Sequence, residues 1–174
     1  MNFLPSINQL NKETPEEFIK VVNILFEAAP PLTKRLLAIR PFTSYTELIN
    51  STEKICLSNE LDLEERLEVI NAHPRIGASK ANLSACSLRE QGYTDTLQTK
   101  EDKTINIELA KLNQQYEKQY GFKFIIFVNG RSRQQIIPII KERIKDSNRE
   151  RELYTAIIDM MLIAKDRLKK SNRN

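Results

Sequence analysis

Only four glycines occur in 174 residues, Gly77, Gly92, Gly121 and Gly130, and all lie between positions 77 and 130. A turn-rich all-β fold needs positive-φ residues at many hairpins, so this scarcity weighs against one. The stretches before Gly77 and after Gly130 are free to be nearly continuous capped helix. Helix-start signals recur there with regularity.

Thr14-Pro15-Glu16-Glu17 combines an N-cap, a proline at the first helical position and a capping-box glutamate. Phe18, Val21, Val22, Leu25 and Phe26 then share one helical face. Pro30-Pro31 is expected to end that helix, and Leu32, Leu36, Leu37 and Ile39 mark a short second one before Pro41. Ser44 with Glu47 opens a third, reaching about Leu57. Asp62 with Glu65 opens a fourth, with Leu63, Leu67, Val69 and Ile70 inward, which stops at His73-Pro74. Ser87-Leu88-Arg89-Glu90 is another cap-like start. A long helix is expected over Lys100–Tyr120, with Gly121 at its C-terminal cap. Phe122–Val128 is an apolar run too short for a helix. Ser132 opens the next helix and Ser147 with Glu150 the last, whose inward face reads Leu153, Ile157, Met160, Met161 and Ala164. The expectation is one all-α domain, residues 1–174, of about eight helices, with a disordered tail from about residue 170.

The chain carries 27 basic and 23 acidic residues, a formal charge of +4. The basic residues alternate with acids, as in Arg149-Glu150-Arg151-Glu152, which weighs against a nucleic-acid surface. No apolar run approaches the ~18 residues of a membrane span. Cys56 and Cys86 show no metal-ligand spacing and fit a reducing compartment. Met1 to Pro5 lack the charged start and apolar stretch of a secretion signal, and Asn172-Arg173-Asn174 is not a peroxisomal address. A cytoplasmic location is expected.

His73 is the only histidine, at a helix-to-loop junction where an imidazole serves either as acid–base or as a satisfied junction residue. Ser87-x-x-Glu90 reads locally as a capping box, with the glutamate spent on the backbone. Arg167 has Met160, Ile163 and Ala164 on its face of the last helix, so it is placed for an internal carboxylate or snorkels to solvent. Phosphate-loop, nucleophile-elbow, zinc and dinucleotide motifs are absent.

Three ordered segments together resemble one family, the 2-oxo-4-hydroxy-4-carboxy-5-ureidoimidazoline (OHCU) decarboxylases of urate breakdown. His73-Pro74-Arg75-Ile76-Gly77 is similar to that family's His-Pro-x-Leu-Gly, and Ser87-Leu88-Arg89-Glu90-Gln91 to its Ser-x-x-Glu-Gln. Leu112-Asn113-Gln114-Gln115-Tyr116 through Tyr120-Gly121-Phe122-Lys123-Phe124 and on to Val128-Asn129-Gly130-Arg131-Ser132 resembles the third. Arg40-Pro41-Phe42 and Ile163 to Leu168 look like further landmarks. Ile76, Tyr120 and Lys123 depart mildly from the pattern.

The resemblance implies an all-helical decarboxylase, often a homodimer, that uses no metal or organic cofactor and releases CO2 from a small anionic ureidoimidazoline to give (S)-allantoin. It carries catalytic roles to His73 and Glu90, and substrate binding to Pro74, Ser87, Gln91, Phe124, Ile125, Ile126, Phe127, Val128 and Arg167. It moves Glu90 from capping to function. The family occurs in cytosol and peroxisomes. The rival from another class is a non-enzymatic helical binding module for an acidic partner, which gives His73 and Glu90 no role and requires a clustered basic face.

Overall fold

Local capping chemistry decides where helices begin. The computed structural model describes residues 4–93 and 98–171, with nine α-helices, one 3-10 turn and no strand among them. They are α1 (Ile7–Leu10), α2 (Pro15–Phe26), α3 (Pro30–Ala38), α4 (Tyr45–Leu57), α5 (Leu63–Asn71), the 3-10 turn Lys80–Asn82, α6 (Ala85–Glu90), α7 (Lys100–Tyr120), α8 (Arg133–Lys145) and α9 (Arg149–Ser171). The all-α expectation holds, and α1 is the helix that sequence patterning left out. It is one turn long, too short to show a period.

Thr14, Ser44, Asp62, Thr99 and Ser132 each accept a backbone N–H with the side chain at the start of their helices. At Asp62, Thr99 and Ser132 the third helical residue answers, completing capping boxes. Some details differ from expectation. Pro30 and Pro31 open α3 instead of closing α2, which ends on Glu27 in a left-handed turn at φ 50°. Proline's fixed φ suits a first helical turn as well as it blocks a later one. The N–H of Arg151 bonds Asn148 Oδ1, so Asn148 and not Ser147 caps α9. Leu63, read as inward, is 51% exposed because it is the first residue after the cap. Lys170 and Ser171, placed by expectation in a disordered tail, belong to α9, while residues 172–174 lie outside the described part.

The chain forms two compact units, Met1–His73 with Ile157–Asn174, and Pro74–Ala156. In the first, α2, α3, α4 and α5 bury Phe18, Val22, Leu25, Phe26, Leu32, Leu36, Leu48, Ile49, Val69 and Ile70. Asn11 ties its start to the Pro41 corner, with its amide bonding both Phe42 N–H and Phe42 C=O. In the second, α7 packs on α8, burying Leu109, Leu112, Tyr116, Ile136, Ile137 and Ile140. Residues 149–156 of α9 belong to this unit and 157–171 to the first. Among the described residues, no helix is long and apolar enough to cross a membrane.

Candidate active site

His73 follows Ala72, the C-cap of α5. Its N–H bonds the Ile70 carbonyl at 3.2 Å, and Pro74 cannot continue the helix. The imidazole is only 3% exposed. Burial at a junction leaves both sequence readings of His73 standing, since a structural and a catalytic histidine are each sheltered from bulk water.

Ser84, not Ser87, opens α6. Its hydroxyl accepts the Ser87 N–H at 3.1 Å, and its ψ of 160° is that of an N-cap. Ser87 is therefore the third residue of α6, buried, and Glu90 is the last. The capping-box account of Glu90 falls with this register. A carboxylate at a helix C-terminus gains nothing from the helix dipole.

Glu90 and Gln91 face a polar cavity of about 500 Å³ within the second unit, shared with Arg89, Asp102, Arg131 and Arg133. Arg133 bonds Asn106 Oδ1 at 2.7 Å and Asp102 Oδ1 at 3.1 Å, and stacks 4.3 Å from the Tyr93 ring centre. Gln91 points its amide at the turn after Pro74. Its Oε1 accepts the Gly77 N–H at 2.7 Å, and its Nε2 donates to the Arg75 carbonyl at 3.3 Å.

The Phe122–Val128 run is irregular, neither helix nor strand. Buried backbone without a ladder must find partners elsewhere, and arginines supply them. Arg143 donates to the Ile125 carbonyl at 3.2 Å, and Arg131 to the carbonyls of Phe127 and Val128 at 2.5 and 2.9 Å. Three carbonyls of the expected substrate-binding stretch are thus engaged by the protein itself. Phe124 lies 4.7 Å beneath the Arg143 guanidinium and edge-on to Tyr116.

Behind this segment, Glu152 is 2% exposed and accepts from Tyr116 Oη at 2.5 Å and from Arg143 Nε at 2.8 Å. Burial first, and the Glu152 carboxylate second, push the Tyr116 hydroxyl far above the usual phenol range. In the first unit, Arg167 is 6% exposed and donates to the Ile24 carbonyl and to Glu27 Oε1, each at 3.1 Å. The internal-carboxylate reading of Arg167 holds, and Glu27 is the partner that sequence did not reveal.

Pro74, Ser87, Glu90, Gln91 and Phe124–Val128 thus belong to one unit, and His73 and Arg167 to the other. Glu27, Arg143 and Glu152 escaped sequence reasoning. A signal existed for one of them: Glu152 shares the stripe of Ala156, Met160 and Ala164, where a charge needs a partner. Among the described residues no group of three or more His, Cys, Asp and Glu side chains is placed to hold a metal ion.

A family model described as OHCU decarboxylase matches residues 11–169. The chain belongs to the OHCU decarboxylase family. It is 25% identical over 165 residues to the OHCU decarboxylase of Haloferax volcanii, with 94% of both chains covered. It is 30% identical over 162 residues to a uric acid degradation bifunctional protein of Bacillus sp. strain TB-90. There the match covers 93% of this chain and 31% of the relative, so the chain spans about a third of that longer protein. A crystal structure of an OHCU decarboxylase obtained in the presence of (S)-allantoin superposes with a TM-score of 0.65 at 25% identity, covering 91% of this chain and 97% of the other.

Proposed function

We propose that this chain catalyses the cofactor-independent decarboxylation of 2-oxo-4-hydroxy-4-carboxy-5-ureidoimidazoline to (S)-allantoin, completing the conversion of urate to allantoin. The observation that carries this is the position of Glu90, at the C-terminal end of α6, lining a polar cavity and released from capping by Ser84. Family membership over residues 11–169 supplies the substrate class.

The chemistry asks little of a protein beyond placement and proton transfer. The bond between the ring carbon and its carboxylate breaks, and its electron pair passes toward the adjacent ring C=N. As CO2 leaves, the ring nitrogen that receives the pair takes up a proton, and the resulting enol-like species gives up its hydroxyl proton while the neighbouring carbon takes one on a single face. His73 shifts the proton of the substrate hydroxyl or carboxylate as CO2 departs. Glu90 delivers or relays the stereospecific proton. Arg167 holds the substrate carboxylate or carbonyl through a charge-assisted bond, in exchange for part of its contact with Glu27. Pro74, Ser87 and the backbone of Phe124–Val128 border the flat heterocycle. Residues 1–174 act as one catalytic domain, as a homodimer in the cytosol.

The test generates the labile substrate from urate with a urate oxidase and a hydroxyisourate hydrolase, then follows circular dichroism at the allantoin band. The wild-type chain is expected to speed the appearance of optically active allantoin; no acceleration would sink the decarboxylase reading. Glu90→Gln and His73→Ala are each expected to lose about 10²–10⁴-fold in rate while remaining folded, the usual range for acid–base help. Full activity in either would remove the role given to that residue.

A further inference from the structure

The turn after Pro74 has no regular secondary structure and closes one backbone bond of its own, Ala78 N–H to the Arg75 carbonyl at 3.2 Å, so the rest of its backbone takes side chains as partners. Besides the two bonds from Gln91 to Gly77 and Arg75, Asn113 Nδ2 donates to the Ile76 carbonyl at 2.9 Å. The Tyr93 hydroxyl donates to the Ala78 carbonyl at 2.7 Å. Four consecutive residues are therefore gripped by three side chains, from the end of α6, the residues just after it, and α7. Gly77 backs so closely on α7 that an added Cβ would stand 3.0 Å from Leu109 Cδ1, and its φ of +77° suits glycine alone. Gln91 and Asn113 are both buried, at 8% and 3% exposure. A buried side-chain amide bonded to backbone on the far side of a turn holds that backbone in one place, because swinging away strands polar groups out of water.

We propose that Gln91 and Asn113 are positioning residues for the decarboxylation, acting through the Arg75–Ala78 turn. The turn is covalently continuous with His73-Pro74, and Gln91 is the immediate neighbour of Glu90. Each amide thus fixes backbone next to a group that moves a proton. The proposal rests on the function assigned above. A displacement of about 1 Å at a reacting group is enough to cost on the order of 10²-fold.

The experiment compares Gln91→Ala, Asn113→Ala, their double variant and the near-isosteric Asn113→Asp, in the coupled assay and by amide hydrogen exchange at Gly77. In each single variant kcat is expected to fall about 10–100-fold with KM changed by less than about threefold, the split that separates lost positioning from lost binding. The double variant should fall little below the worse single one, because both act on one turn. Asn113→Asp should match Asn113→Ala, since a carboxylate cannot donate to the Ile76 carbonyl. Gly77 exchange should quicken at least about tenfold in Gln91→Ala, as a lost amide hydrogen bond requires. If the alanine variants fail to fold, Gln91→Glu, which keeps an acceptor for Gly77 but loses the donor to Arg75, is expected to lower kcat about tenfold with KM changed by less than about threefold, and unchanged kcat would overturn the proposal. A raised KM with unchanged kcat in the Gln91 variants would make Gln91 a direct ligand and overturn the proposal. So would wild-type kinetics in the Asn113 variants, or unchanged Gly77 exchange. An inactive wild-type chain would refute the decarboxylase reading alone, and Gly77 exchange would still decide the clamp.

Discussion

Buried charge is concentrated at a few residues that hold irregular backbone in place. Glu152 compensates Arg143, which in turn holds the Ile125 carbonyl. Removing one partner of such a pair strands the other, at a cost of about 3–5 kcal/mol. Glu152→Ala is therefore expected to lower the urea midpoint strongly, and an unchanged midpoint would contradict this account of the cluster. Glu27 and Arg167 form the corresponding pair in the first unit, so Arg167→Ala should reduce both stability and turnover. The cysteines separate by environment. Burial pushes the Cys56 thiol up to about 12, whereas Cys86 is half-exposed. The thiolate is the reactive form, so native protein should show one fast thiol with an aromatic disulfide reagent, lost in Cys86→Ala, and a second only on unfolding.

Among the elements, α6 is where register matters most. Because Ser84 accepts the Ser87 N–H, Ser84→Ala is expected to cost about 1 kcal/mol of stability as a lost N-cap. Had Ser87 been the cap, Ser84→Ala would be nearly neutral, so chemical denaturation distinguishes the two registers. The starts of α4 and α7 confer sensitivity to acid. Hydrogen bonds from Thr43 hold the Glu47 carboxyl below its ordinary 4.5, and those from Thr99 hold Asp102 below its ordinary 3.8. A depressed folded-state value contributes stability that is complete above the unfolded value and is lost as pH falls through the folded one. Glu47→Gln with Asp102→Asn should therefore flatten the loss of stability below about pH 4, read by thermal melts across the acid range. A decline as steep as that of the wild type would remove these two groups as its source.

For the molecule as a whole, the proposed reaction uses only protein side chains, so exhaustive dialysis against a chelator is expected to leave the turnover rate unchanged. Loss of activity restored by a divalent cation would overturn the cofactor-independent assignment. Light scattering coupled to size exclusion should give the mass of two chains, and a single-chain mass would remove the homodimer. The rival binding module required a one-sign basic face. Arg35, Arg75, Arg133, Arg143, Lys20 and Lys141 each stand against a carboxylate, which takes six of the 27 basic residues out of any such face.

Helix content, most helix starts and the family motifs were legible in the sequence, because capping and apolar phase act within four or five residues of chain. Asp62 with Glu65 and Ser132 with Gln135 needed no distant information. The choice between Ser84 and Ser87 as a cap was not legible, since both carry the hydroxyl and only packing of the buried Ser87 decides between them. Nor were the long-range partners, with Glu27 140 positions from Arg167 and Asn113 37 from Ile76. The four glycines had suggested a confined region of backbone freedom, and Gly77 within that region is fixed by Gln91 and Leu109. The sequence by itself determined where the chain is helical and where it turns, because those energies are local. Only the tertiary structure decided what holds each turn still, because a buried polar group takes its partner from whatever the fold brings beside it.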